Sequence, residues 1–179
     1  MKKKSAARRT GSARGRRPLI GKLVIFGVGL IGGSFALALK KHHAVARVVG
    51  VGRSRANLLA ARRLGIIDEI AADPARAVKD ADLVLLAVPL GQTRAVLAQI
   101  APHLAPHTVV SDAGSTKRDV IEAARIHLGA GFARFVPAHP IAGTEKSGAP
   151  AAFAQLFAGR NLIVTPQPET SARALKLVT

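Results

Sequence analysis

The 179-residue chain contains no cysteine, no tryptophan and no tyrosine, and its aromatic content is six Phe. Without cysteine there is no disulfide, no thiolate nucleophile and no Cys-ligated zinc or iron–sulfur site. The six His have no metal-ligand spacing. His42 and His43 are adjacent, would point apart on a helix, and read as surface residues. Acidic residues are scarce, ten against 27 Lys and Arg, for a net charge of +17. A long apolar run is also lacking. Leu23 to Leu39 is 17 residues with four glycines inside it, short of the roughly 20 needed to span a bilayer. Arg16-Arg17 ahead of that run resembles an export signal. Lys22 interrupts it early, however, and no small-x-small cleavage site follows. The expected location is the cytoplasm, away from membranes.

The positive charge is uneven. Residues 1–17 (MKKKSAARRTGSARGRR) hold eight Lys and Arg, no acid and no hydrophobic periodicity. They read as a disordered basic tail. No aromatic residue is interleaved for base stacking and no nucleic-acid fold signature follows, so a solvated extension is favoured over a nucleic-acid arm. The remaining Ala/Val/Leu-rich sequence suits one α/β domain whose parallel strands are covered on both faces.

The stretch Lys22–Lys40, KLVIFGVGLIGGSFALALK, organises that domain. The run Leu23–Phe26 predicts a strand. Gly27, Gly29 and Gly32 follow in G-x-G-x-x-G spacing, and an apolar helical pattern starts at Leu30 and Ile31. In this context the first glycine permits the turn, the second lets a pyrophosphate reach the backbone, and the third lets helix pack on strand. N–H groups of the first helical turn, at Leu30 and Ile31, would face the ligand.

A second strand spans Arg47–Val51, and a helix follows Ser54, its expected N-cap, with Gly65 as the stop. An acidic residue commonly ends this strand and bonds the ribose 2′-OH of NAD. Here Gly52 and Arg53 stand instead. An Arg can pair with a 2′-phosphate, assisted by Ser54, so NADP is expected, with NAD possible. Gly65–Ile70 reads as a loop and a short strand, and Asp73-Pro74 opens a short helix. The run Leu83–Val88 predicts a buried strand ending at Pro89, which places Val88 and Pro89 at the cofactor. Further elements are a helix over Thr93–Ile100, a strand over Thr108–Ser111, a helix from Lys117, a strand over Arg134–Val136, a loop over Pro137–Gly148, a helix over Ala149–Phe157, a strand over Asn161–Thr165 and a helix from Ser171.

This alternation predicts a doubly wound, mostly parallel α/β sheet of the Rossmann type over residues 18–170. Gly27, Arg53, Pro89, Ser115 and His139 all follow strands, so they are expected to converge on one cleft. Hydride transfer is the implied chemistry. His139 is the candidate to take the hydroxyl proton, and Ser115 to support it. The plainer alternatives are a surface histidine and a helix cap.

VIFGVGLIGGSFALALK, LVLLAVP, VVSDAGSTK and HPIAGTEKSG, in this order, resemble the prephenate and arogenate dehydrogenases of tyrosine biosynthesis. The resemblance runs from about Gly21 to the end. It implies NAD(P)-dependent oxidative decarboxylation of prephenate to 4-hydroxyphenylpyruvate, or of arogenate to tyrosine. It implies that His139 accepts the 4-hydroxyl proton, that Ser115 supports that bond, and that Thr144 and Glu145 lie in or near the substrate pocket. The family carries a second, all-helical domain that makes a homodimer. This chain ends at Thr179, where that domain is expected to begin, with residues 171–179 as its lead-in. The chain alone is therefore expected to bind cofactor with little turnover. Two other readings are weighed: a different hydroxyacid dehydrogenase on the same scaffold, and a non-catalytic NADP-binding or tail-mediated nucleic-acid-associated protein.

Overall fold

The computed structural model describes residues 17–179; the basic tail, apart from Arg17, lies outside the described residues. Six parallel strands form one sheet in the order β3-β2-β1-β4-β5-β6. They are β1 (Ile20–Phe26), β2 (Val45–Val51), β3 (Glu69–Ile70), β4 (Leu83–Leu86), β5 (Val109–Asp112) and β6 (Phe135–Val136). The order reverses between β1 and β4, the switch point at which this architecture opens a crevice at the carboxyl edge.

Period-two alternation along the strands builds two cores. Leu23, Ile25, Val48, Leu83 and Leu85 face one side of the sheet. On it lie α1 (Leu30–Lys41), α2 (Arg55–Arg63) and α6 (Ala172–Val178). Val24, Phe26, Val49, Val84, Leu86 and Val110 face the other side. There they meet α3 (Pro74–Val78), α4 (Leu90–Ile100) and α5 (Arg118–Leu128). Phe135 is fully buried, worth roughly 1.5–3 kcal/mol of apolar transfer. α6 buries Ala174 in the first core, with Leu175, Leu177 and Val178 packed against it.

Caps account for several boundaries. Ser54 Oγ accepts from the N–H of Asn57 at 3.2 Å. Asp73 Oδ1 accepts from the N–H of Ala75 at 2.9 Å. Gly65, at φ +70°, ends α2: its N–H donates to Arg62 O and that of Ile66 to Ala61 O, the paired bonds of a left-handed helix stop. His43 closes α1 in the same way at φ +52°. His42 and His43 are therefore exposed in a helix stop rather than on a helix.

Four expectations change. β4 ends at Leu86, and α4 starts at Leu90. Residues 149–157 form no α-helix: one 3₁₀ turn, Ala149–Ala151, gives way to turns, with the N–H groups of Ala149 and Phe153 bonded to the side chains of Asn57 and Ser34. The segment Pro137–Gly148 is not all loop, since β7 (Ala138–Pro140) pairs antiparallel with β8 (Leu162–Val164). Finally, β8 stands in this separate two-stranded sheet and adds no strand to the main one.

Candidate dinucleotide cleft and adjoining loop

Gly27 has φ +91°, and a Cβ there would lie 2.4 Å from the carbonyl oxygen of Ala87. Glycine is thus required twice, for conformation and for contact. A Cβ on Gly32 would meet Gly27 O at 2.3 Å, so α1 lies directly on the turn. Gly29 differs: a Cβ on it would meet nothing within 4 Å. The protein leaves that space open. Gly29 is also the N-cap of α1, with no side-chain cap bond and no acid in the first turn. The first-turn N–H groups, including those of Leu30 and Ile31, are free to face an anion. These features fit the pyrophosphate of a dinucleotide.

A cleft of about 620 Å³ runs from this turn across the ends of β2 and β4. Its lining includes Gly27, Gly29, Arg53, Ser54, Val88 and Pro89. Arg53 and Ser54 are exposed at the end of β2, where the adenosine half of a dinucleotide would lie. Ser54 Oγ accepts from the helix that it caps, which leaves its O–H free to donate. Leu30 and Gly32 are buried and are not part of the cleft's lining. Ile31 lines a different, apolar cavity of about 240 Å³, shared with Phe35, Ala113, Pro140 and Leu162.

The second half of the site is built on the end of β5. Asp112 is a buried acid with 2% of its side chain exposed, paired with Lys117 at 15%. Its carboxylate accepts from Lys117 Nζ, from the N–H of Gly114 at 2.9 Å and from the N–H of Ala138 at 3.1 Å. Lys117 Nζ also donates to Ala138 O at 2.7 Å. Burial pushes the Asp112 carboxyl above its usual range, against the pull of Lys117. Both backbone groups of Ala138 are thus fixed, and the next residue is His139. The backbone of His139 is set opposite Ile163 in the β7–β8 pair, and its side chain is half-buried. Ser115 is exposed just before α5, whose N-cap is Lys117, with no side-chain cap bond. The helix-cap alternative for Ser115 is thereby removed. Thr144 and Glu145 are exposed in the loop, where Thr144 Oγ1 accepts from the N–H of Lys146 at 3.2 Å.

The expected single cleft is thus divided. Gly27, Arg53 and Pro89 share one cavity, whereas Ser115, His139, Thr144 and Glu145 are not part of its lining. β2, which ends beside Arg53, and β5, whose end carries Ala138, are three strand spacings apart, about 14 Å. Arg53 follows β2, whereas His139 stands in the separate β7–β8 pair that Ala138 ties to the end of β5.

The model of the prephenate dehydrogenase nucleotide-binding domain matches residues 35–179. The chain belongs to the prephenate dehydrogenase family. Prephenate dehydrogenase of Bacillus subtilis is 39% identical over 155 residues, covering 86% of this chain and 42% of its own length. The structure of prephenate dehydrogenase from A. aeolicus with hydroxyphenyl propionate and NAD+ superposes with a TM-score of 0.81 at 34% identity, over 88% of this chain and 55% of the other. Arogenate dehydrogenase of Synechocystis superposes at 0.79 with 29% identity, over 88% and 54%. The chain spans about half the length of these relatives.

Three residues of the prephenate dehydrogenase fold emerge only from the structure. Asp112 and Lys117 fall within the motif VVSDAGSTK, but the motif does not say that they bond to Ala138 across 26 and 21 positions. An acid ending a buried strand with Lys five residues later was the available signal. Asn57 gave no signal. Its side-chain amide bonds to Val28 O and to the N–H of Ala149, contacts 29 and 92 residues away that no local pattern encodes.

Proposed function

We propose that this chain is the cofactor-binding and proton-accepting part of a dehydrogenase that oxidatively decarboxylates prephenate or arogenate, with NADP preferred over NAD. The observation that carries the reading is the open backbone at Gly29 above an uncapped helix terminus, on the same sheet edge as the anchored Ala138–His139 pair. A bound nicotinamide dinucleotide supplies the hydride acceptor. The chain's own residues bind, orient and take the proton.

In this reading His139 accepts the proton of the ring 4-hydroxyl through an imidazole nitrogen, and Ser115, free of helix capping, hydrogen-bonds the same hydroxyl. Hydride leaves C4, the C1–carboxylate bond breaks to release carbon dioxide, its electron pair completes the aromatic ring, and the phenolate oxygen takes back the proton from His139. Aromatisation drives the step, so positioning is the main demand on the protein. Thr144 and Glu145 line the substrate end of the loop. The preference for NADP is supported by Gly52 and Arg53 at the end of β2, where no carboxylate opposes a 2′-phosphate.

The test begins with titration of NADPH and NADH into the chain, following nicotinamide emission. The lack of Trp and Tyr leaves that signal clear of protein fluorescence. Binding of NADPH tighter than NADH is expected. Addition of prephenate or arogenate with NADP+ should then give only slow formation of reduced nicotinamide by the chain alone, and none in His139→Asn, while NADPH affinity persists. Failure of both nucleotides to bind overturns the reading.

A further inference from the structure

Asn57 is half-buried on the first turn of α2 and uses both ends of its amide. Nδ2 donates to Val28 O at 2.7 Å, and Oδ1 accepts from the N–H of Ala149 at 2.8 Å. Val28 is the residue between the first two glycines of the turn. In a trans peptide the carbonyl and the next N–H point opposite ways. Holding Val28 O against Asn57 therefore turns the N–H of Gly29 away from Asn57, where it has no backbone partner among the described residues. Ala149 is the first residue after the loop that carries Thr144 and Glu145.

The neighbouring contacts make that junction a fixed one. Gly148 has φ +81°, a Cβ on it would sit 3.3 Å from Asn57 Oδ1, and it lines the dinucleotide cleft. A Cβ on Gly33 would lie 2.8 Å from the Cβ of Ala152. The fully buried Ser34 accepts from the N–H of Phe153 at 3.0 Å. Residues 149–153 are thus seated on α1, the helix whose N-terminus forms the cradle. At its other end the loop is tied by the N–H of Ile141 to Asn161 O.

We infer that Asn57 is a positioning residue that links the glycine turn to the substrate loop, so that a dinucleotide phosphate on the N–H of Gly29 also orders residues 141–149. The inference rests on the reading of the cleft as a dinucleotide site. An anion on that N–H polarises the Val28–Gly29 peptide, strengthens its carbonyl as an acceptor for Nδ2, and through the amide strengthens Oδ1 as the acceptor for Ala149. One chain of three hydrogen bonds then runs from cofactor to loop.

The test is hydrogen exchange of the whole 179-residue chain with and without saturating NADPH. In the wild type, NADPH slows exchange of the 141–149 segment. Asn57→Ala abolishes that slowing and weakens NADPH binding roughly tenfold, the scale of one or two lost hydrogen bonds. Asn57→Asp keeps the acceptor for Ala149 and loses the donor to Val28. It retains the exchange of the unliganded loop but loses the NADPH-dependent slowing, which separates linkage from loop integrity even where the Ala variant does not fold. Equal NADPH-dependent slowing in wild type and Asn57→Asp overturns the inference. NADPH binding to the wild type without any slowing of the loop overturns it while leaving the dinucleotide reading intact. Absence of NADPH binding to the wild type overturns both.

Discussion

The backbone N–H of Ala138 donates to Asp112 Oδ1 at 3.1 Å, across 26 residues of sequence. That bond joins the end of β5 to the start of β7 and sets the residue before His139. Lys117 completes the arrangement by bonding both the carboxylate and Ala138 O.

Lys117→Met leaves the Asp112 carboxylate buried without its cation. Breaking such a pair costs about 3–5 kcal/mol, and the loss is expected near the lower end because Lys117 keeps some solvent contact. Denaturant unfolding of the variant measures it. Adding Asp112→Asn removes the stranded charge and should recover part of the loss. A double variant less stable than Lys117→Met alone would show that the charge was not the cause.

The pH dependence follows from the raised Asp112 pKa, which burial causes. The folded state then holds this proton at pH values where the unfolded chain has released it. Stability from this group is highest at low pH, falls as pH rises from the unfolded value, about 3.9, through the folded one, and is flat above. The stability difference between wild type and Asp112→Asn should therefore decline with rising pH across that window. A difference that grows with pH would mean that Lys117 outweighs burial.

The glycines of the turn should separate by role. Gly27→Ala forces a Cβ onto Ala87 O at a positive φ and is expected to cost about 3 kcal/mol or more. Gly29→Ala meets no protein atom and should keep the melting temperature within about 2 °C, yet weaken NADPH binding about tenfold or more. Thermal melts paired with nucleotide titrations read both. Equal loss of stability in the two would contradict the assignment of Gly29 to ligand approach.

Arg53→Glu tests the cofactor preference. A charge-assisted bond to a 2′-phosphate is worth about 1.5–3 kcal/mol, so NADPH affinity should fall by about ten- to a hundredfold while NADH affinity changes little. Equal losses for both nucleotides would place Arg53 at a group that they share.

The sheet was legible because its signal is local. Leu23–Phe26 and Leu83–Leu86 are unbroken apolar runs between turn residues, and Gly27, Gly29 and Gly32 mark a strand–helix turn by spacing alone. Arg53, Ser54, Val88 and Pro89 reached the cleft because carboxyl edges align in a parallel sheet. The region after β6 was harder to read. Ala149–Phe157 is rich in Ala and Phe and reads as helix, but the bonds from Ala149 to Asn57 on α2 and from Phe153 to Ser34 on α1 hold it against those helices instead. The β7–β8 pair was hidden because Pro140 and Pro137 suggest a loop, while antiparallel pairing over three residues tolerates a proline at its edge.

β1 is hydrogen-bonded on both sides, to β2 and β4, and its residues 23–26 are buried on both faces. No partial opening frees such a strand. Its amides should be among the last to exchange, at a free energy equal to that of global unfolding. Gly27 hangs directly from its end, with its N–H donating to Val51 O at 2.9 Å. The glycine turn is thus fastened to a strand that opens only with the whole fold, and its backbone would hold its shape over the lifetime of the folded protein, whether or not a ligand is present.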